Sequence, residues 1–521
     1  MNPIAAPKTL RYEPDAGLPV AIEAKSNRRY FYPSNGDRFG PKATNVIRMN
    51  LNANSFLDFS HSYLQFTVEN TNKDANEDGH LALDHGVPFF NRLQIMSGGQ
   101  ELEDIQEYSR LYSMLSGIQG SRVNADENSL TQHQPFAGAA AASNIAAIAD
   151  GDLNQGTAGK GAELKGKIDN AINVAVASRT GEGASYHHTN HADPLGTGVL
   201  AQAAGANAGG KLTYNVPIIS AFFNIDKYFP LLLTEQGLDL YFYLDDPLNV
   251  GVHAAREATA NYEISEVRYV AHEVNLDDAF VNQMKASMQA TGGVLSLSST
   301  TYKYNNITGT SALNSASTQS ESLNISCRVK SLKGMMVRPQ ASCVNNSASR
   351  FCISTGQSVG INAAQFRIGS VLYPQSSIKY TEENKGELFN EIRKCFGTIG
   401  SYTHGSTLNN STIKVMDTES CLTARVGAGT LRQQWVLAYD FETFAKSATE
   451  SGINVADRAL PVSLELTRAP LTTSNGNLPA NGVRNAGGTG ADSVQTIRYD
   501  VFAMCDCIIY IDLMGKITTR I

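Results

Sequence analysis

The sequence is short of charge. Asp, Glu, Lys and Arg make up 17% of its 521 residues, where a soluble domain averages about 25%. Glu and Lys are too scarce for a coiled coil, and an apolar share of 42% is too high for a disordered acidic tail. The 44 glycines are near average usage, so a collagen-like repeat is excluded. Basic residues number 42 against 49 acidic ones, a net charge of −7, which makes broad nucleic-acid binding through counterion release a poor fit. No uncharged apolar run approaches about 18 residues, so no transmembrane helix is expected. Met1 to Leu10 has no apolar core of the kind a secretory signal needs, and none is expected.

Cysteine is sparse and unevenly placed. The seven are Cys327, Cys343, Cys352, Cys395, Cys421, Cys505 and Cys507. Their number is odd, no pair has C-x-x-C spacing, and the first 326 residues have none. Reduced thiols in an intracellular folding compartment are expected, not a disulfide framework or a zinc site. Cys505 and Cys507 lie two apart on a strand, so both point to one face as small buried hydrophobes. Sequons such as Asn306-Ile307-Thr308 are chance matches in a chain rich in Asn, Ser and Thr.

What the chain does have is strand texture. Asn45 to Leu51, Ser62 to Val68, Phe89 to Met96, Leu212 to Ile219, Gly237 to Leu244 and Tyr262 to Val274 carry period-2 or β-rich patterns. Further strands are expected at Leu323 to Val329, Ser331 to Val337, Gln365 to Ile368, Val436 to Tyr439, Val462 to Leu466 and Thr496 to Leu513. Helices are few. Gln100 to Leu115 places Ile105, Tyr108, Leu111, Tyr112 and Leu115 at helical spacing; Asp277 to Met288 and Lys385 to Phe396 are the others. Residues 1–40 read as an extended arm with one short strand at Arg29 to Tyr32. Residues 119–210, rich in Ala, Gly, Asn and Ser and poor in aromatics, read as a surface insertion, with a helical turn or two at Ala139 to Ala149. Residues 470–492 form a second such loop. Many short strands without crossover helices predict a β-sandwich or barrel.

The two halves repeat one order of features. A strand and a glycine turn lead into a helix at Glu103 to Leu115, and again at Lys385 to Phe396. An aromatic-acidic segment and a strand follow: Ala221 to Lys227 with Leu238 to Leu244, then Tyr439 to Phe444 with Leu460 to Leu466. Each half closes on one long strand, Asn261 to Val274 and Thr496 to Leu513. Two tandem sandwiches are the simplest reading.

Motifs that carry chemistry fail on their context. Gly161 to Lys167 has P-loop spacing, but Ile168 stands where a hydroxyl must hold magnesium, and no strand precedes it. His187, His188 and His191 cluster in the insertion with only Asp193 nearby, a solvated loop before a metal site. His272-Glu273 opens a zincin-like motif that Leu276 breaks. Asp245-Asp246 and Asp277-Asp278 sit at element ends as turn formers and helix caps. No G-x-S-x-G elbow is present, and a Ser/His/Asp triad, defined by geometry, has no support in the spacing. No catalytic, cofactor or metal residue is assigned.

Several segments together resemble a known family. These are Phe56 to Ser60 with Tyr63 to Val68, Phe90 to Ile95 with Gln100 to Tyr108, Val216 to Ile218 through Leu231 to Leu233, and Tyr262 to Val267. In the second half they are Phe366 to Gly369, Tyr373-Pro374, and Tyr499 to Ile509. In that order they resemble the double jelly-roll major capsid proteins of the adenovirus, tectivirus and large-DNA-virus lineage, most closely those of virophages and polinton-like viruses. The resemblance implies an all-β chain of two tandem eight-stranded jelly rolls with a few short helices. It implies a first roll over residues 41–290, with 119–210 as an outer surface insertion, and a second over 291–521. It further implies a non-enzymatic subunit that trimerises into pseudo-hexagonal capsomers and tiles an icosahedral shell around DNA. The partners implied are copies of itself, a penton protein, minor capsid proteins and an internal membrane where the virion has one, without sequence-specific nucleic-acid contact. The location implied is the virion, assembled inside the host cell. Low charge suits a subunit covered by its own copies. The arm, with Lys25, Arg28 and Arg29, is expected to lie inward. A trimeric receptor- or glycan-binding viral surface protein is the alternative, and a β-sandwich hydrolase a weaker one.

Overall fold

A computed structural model of the chain describes residues 24–71, 81–83, 87–119, 199–200, 211–225, 227–253, 261–290, 292–312, 318–341, 353–381, 384–396, 434–443, 452–457, 460–468 and 494–521, with Thr131, Leu408 and Ile413. Two β-sandwiches follow one another along the chain. In the first, one sheet contains β1 (Ala24–Phe31), β2 (Arg38–Phe39), β4 (Phe56–Asn70), β9 (Lys211–Val216), β10 (Phe229–Pro230) and β13 (Tyr262–Leu276). The facing sheet contains β3 (Val46–Leu51), β6 (Phe90–Ser97), β7 (Gln100–Gln106) and β11 (Leu238–Leu244). A small third sheet joins β5 (Leu81–Leu83), β8 (Val199–Leu200) and β12 (Gly251–His253). Helix α1 (Tyr108–Gln119) follows β7, the single-turn α2 (Pro247–Val250) follows β11, and α3 (Asp278–Ala290) leads onward.

In the second sandwich, β14 (Val294–Ala312), β16 (Leu332–Ala341), β19 (Leu437–Asp440), β21 (Val494–Asp512) and β22 (Ile517–Arg520) form one sheet. The other contains β15 (Gln319–Ile325), β17 (Ile361–Ile368), β18 (Val371–Lys379) and β20 (Val462–Arg468), with helix α4 (Gly386–Cys395) after β18. The strand orders correspond place by place. β1-β13-β4-β10, with β9 also on β4, matches β14-β21-β16-β19, and β3-β11-β6-β7 matches β15-β20-β17-β18. All these pairs are antiparallel, and in each half the chain alternates between the two sheets in the same order, which is the jelly-roll path. The duplication expected from the sequence is thus present strand for strand.

Alternation drives the packing. β11 reads buried, half-buried, buried throughout, because Leu238, Leu240, Phe242 and Leu244 share one face. Aromatic rings join the two sheets of each sandwich. Phe66 on β4 stacks on Tyr214 of β9 at 5.3 Å and meets Phe90 of β6 edge-on at 5.2 Å. At corresponding places in the second sandwich, Phe366 of β17 meets Tyr439 of β19 at 6.0 Å and Phe441 at 5.4 Å. Each such pair adds about 0.5–1.5 kcal/mol to its area burial.

The ladder registers give the molecule two unlike ends. At one, Asn70 faces Tyr262, Glu69 faces Lys211, Ala312 faces Val494 and Ala341 faces Ile497. The described ends of β4, β14, β16 and β20 and the described starts of β9, β13 and β21 all lie here. The opposite, compact end is closed by short connections: 52–55, 98–99, 326–331, 369–370 and 513–516, with α3 spanning from β13 to β14.

Some expectations are corrected. The helix expected over Gln100 to Leu115 is β7 followed by α1. Gly98 and Gly99 both have positive φ (57° and 77°), the conformation a two-residue hairpin turn requires, and Ser97 pairs with Gln100 directly across it. The strand expected at Arg29 to Tyr32, within an arm over residues 1–40, is β1, which starts at Ala24 and pairs along its whole length with β13. Only its Phe31 is buried, so backbone pairing rather than apolar alternation holds it there. Besides the short β2, β5, β8, β10, β12 and β22, two longer strands have no counterpart among the expectations: β18, and the 19-residue β14. Residues 1–23, the loop at 470–492, and the insertion at 119–210 apart from Gln119, Thr131 and Val199–Leu200 lie outside the described residues.

Candidate functional site: the seam between the sandwiches

The seam is built around α1. Tyr108, Leu111, Tyr112, Leu115 and Ile118 give it an apolar stripe, yet Ser109, Arg110 and Ser113 are buried as well. A helix covered on nearly every side is a core element. Glu107 precedes it with a φ of 50°, and its carbonyl accepts from the Arg110 and Leu111 amides at 3.0 Å, starting the first turn.

Arg110, 1% exposed, crosses from the first sandwich into the second. It donates to Gln340 on β16 at 2.8 Å and to Asp500 on β21 at 3.1 Å, and its Nε meets the Glu107 carboxylate at 3.0 Å. Asp500 is fully buried. Arg498 Nε lies 2.7 Å from it, Arg338 3.8 Å, and the Tyr304 hydroxyl donates to it at 2.8 Å. Arg498 also reaches back to Glu107 at 2.8 Å. Burial alone would raise the Asp500 pKa. The charges of Arg110, Arg498 and Arg338, with the Tyr304 hydrogen bond, outweigh it and hold the carboxyl below the usual aspartate range.

A second carboxylate, Glu103, crosses the seam, and a third, Asp245, is buried beside α1 within the first sandwich. Glu103 on β7 is buried, accepts from the Ala221 amide at 3.0 Å and from the Thr301 hydroxyl of β14, and is pushed upward by burial. Asp245 accepts from Ser109 at 3.2 Å and Asn249 at 3.0 Å. Burial, aided by the charge of Glu107, pushes it up to about 6. Nearer the compact end, Thr519 donates to the Leu102 carbonyl at 2.8 Å, and the Glu235 amide to the Gly515 carbonyl at 3.1 Å. The sandwiches are therefore bonded along the seam's length. Chemically this arrangement fixes an angle between two bodies.

The residues singled out from the sequence lie elsewhere. Gly161 to Ile168 and His187, His188 and His191 are outside the described residues. His272 lies on β13 beside His61, ring centres 5.8 Å apart. Asp58 and Ser60 both contact Nδ1 of His61, at 2.6 and 3.1 Å. A relay needs the hydroxyl on the other ring nitrogen, so this trio has no triad geometry. Asp246 caps α2 through the Leu248 amide, as its turn reading expected. The Asp277 carbonyl accepts from Phe280 and Val281 at the start of α3. Cys327, Cys505 and Cys507 are buried free thiols. Among the described residues, no three His, Cys, Asp or Glu side chains are placed to hold a metal ion.

The sequence reading assigned no role to Arg110 or Asp500. Part of their signal was available: Arg110 falls within the apolar stripe of a helix and Asp500 within a strand rich in apolar residues, and charges buried in such places are nearly always paired.

No protein-family model matches the chain, and no curated protein matches it in sequence. Solved structures do. VP54 of PBCV-1, as fitted into a cryo-EM reconstruction of the virophage Sputnik, superposes with a TM-score of 0.51 at 9% identity over 97% of this chain and 99% of that one. The Sputnik virophage structure gives 0.49 at 12% identity over 100% and 93%. The mavirus major capsid protein gives 0.44 at 9% identity over 100% and 96%. The first of these, together with the strand order above, establishes the fold of this chain as a double jelly roll.

Proposed function

We propose that this chain is a major capsid subunit whose trimers form pseudo-hexagonal capsomers of an icosahedral shell around a DNA genome. The observation that carries the reading is the pair of jelly rolls with one strand order, bonded through a seam whose central ion pair, Arg110 with Asp500, is buried. Two similar bodies per subunit, three times over, present six near-equivalent sides, which suits hexagonal packing. Such packing needs a fixed angle between the bodies, and Arg110 with Asp500 supplies it. The superposition on VP54 of PBCV-1, fitted into a reconstruction of the virophage Sputnik, supports this reading. We place the division between the rolls in the link from α3 to β14. The further partners are a penton protein and minor capsid proteins, the location is the virion, assembly takes place inside the host cell, and the role is structural rather than enzymatic. Negative-stain imaging of the purified chain tests the reading. Particles with a hexagonal outline and three-fold symmetry are expected; uniform two-lobed monomers would refute it.

A further inference from the structure

Two thiols meet inside the second sandwich. Cys327, Cys505 and Cys507 are all buried and unoxidised. Cys507 packs as a small hydrophobe. Cys327 and Cys505 differ from it, because their side chains are hydrogen-bonded to each other, thiol to thiol.

The path of the chain brings them together. Leu323, Ile325 and Cys327 are buried, while Asn324, Ser326 and Arg328 are exposed, so Cys327 continues the inward face of β15 past the end of that strand. The link over 326–331 then crosses to the other sheet and enters β16 at Leu332, which pairs directly with Cys505 of β21. Cys505 is fully buried, as are Tyr499, Val501 and Ala503 at alternate positions before it. The Tyr499 hydroxyl donates to Glu321 on β15 at 3.0 Å, so this face of β21 looks across the core to the sheet that carries β15. The Asp506 amide donates to the Ser331 carbonyl at 3.1 Å and holds the end of the link against β21.

The two thiols are not equivalent. Cys327 accepts the hydrogen bond from Cys505, and the charges of Arg328 and Lys303 favour its thiolate, so against burial its pKa falls below the usual thiol value. Cys505, as the donor and as a buried group, is pushed well above that value. Cys327 is also the more accessible of the two. It lies in an irregular link between exposed Ser326 and Arg328, whereas Cys505 is laddered into a strand with neighbours on both sides.

We propose that Cys327 and Cys505 form a dithiol switch that closes to a disulfide when the folded chain meets a small-molecule disulfide such as oxidised glutathione. The Cys327 thiolate attacks one sulfur of that disulfide, breaks its S–S bond and expels the first small thiol. The Cys505 sulfur then attacks the Cys327 sulfur and displaces the second. The two protein protons leave with the two small thiols: the protein dithiol is oxidised and the small disulfide is reduced. The new bond joins the β15 side of the core to β21, sheet to sheet, and closes a loop of about 180 residues. It follows folding, because both sheets must be in place before the two sulfurs meet.

Oxidised glutathione added to the folded full chain, followed by alkylation in denaturant and digestion without reductant, tests this. A peptide pair joining Cys327 to Cys505 is expected as the main cross-link. The melting temperature is expected to rise by about 10 °C, and dithiothreitol should reverse both changes. Cys327→Ala should lose the cross-link and the rise; Cys507→Ala should keep both. A wild-type chain whose Cys327 and Cys505 are both alkylated after oxidation overturns the proposal. So does one whose Cys327 stays joined to glutathione, since the second exchange has then failed. Both outcomes are read on the wild type and stand even where a variant fails to fold.

Discussion

Replacing Arg110 with Met tests the seam directly. The side chain keeps its length and apolar stem but loses the guanidinium that joins Asp500, Gln340 and Glu107. Removing one partner from a buried ion pair costs about 3–5 kcal/mol. Asp500 retains Arg498 at 2.7 Å and Arg338 at 3.8 Å, so the lower end, about 3 kcal/mol, applies. For a sandwich of roughly 200 residues each kcal/mol moves Tm by about 2–4 °C, which gives a fall of about 6–12 °C. Differential scanning calorimetry at fixed protein concentration reads it. Because the loss falls on the face the two rolls share, the endotherm should also separate into two. Acid behaviour gives an independent reading. The folded pKa of Asp500 lies below its ordinary value of 3.8, so its contribution is present above that value and is lost as pH falls through the folded one. The Met variant depresses that pKa less and should lose less of its remaining stability on acidification. A single endotherm shifted by under about 2 °C would mean that the pair contributes no more than an exposed one, and the seam argument would fail.

Asp245 has the opposite sign. Its folded pKa is raised from 3.8 to about 6, so the native state holds the proton more tightly than the unfolded chain, and stability from this group declines as pH rises from about 4 to 6. Asp245→Asn should flatten that slope and raise Tm at pH 7.5, by at most the equivalent of about 3 kcal/mol; an unchanged pH profile would refute the assignment. Gly237 has φ at 67°, and a Cβ there would lie 2.2 Å from the Leu51 carbonyl oxygen, so Gly237→Ala should cost at least about 3 kcal/mol in a denaturant melt. Deleting residues 130–198 should leave the strand signal in circular dichroism intact, since every described strand of either sandwich lies outside that range; loss of all β-structure would overturn the domain map.

Strands with apolar residues on alternate positions were legible in the sequence: β4, β11, β13, β20 and β21 all carry the pattern that burial later explains. β14 was not, because two of its inward positions hold Ser299 and Thr301, and Thr301 is accommodated by its hydrogen bond to Glu103. Periodicity misled at β7, where Ile105 belongs to a strand and Tyr108, Leu111 and Tyr112 to a helix, yet together they mimic one helical stripe. The repeat of features between the halves was legible because each roll needs the same strands in the same order. The seam was not. Arg110 and Asp500 are 390 residues apart, and no local pattern joins two charges whose pairing exists only once both rolls have folded.

The native mass of the purified chain, measured by light scattering behind a sizing column, tests the central claim most directly. Three copies of 56.1 kDa give about 168 kDa, a closed symmetric assembly that should persist on dilution. A stable species at 56.1 kDa under native conditions would contradict the shell-subunit account.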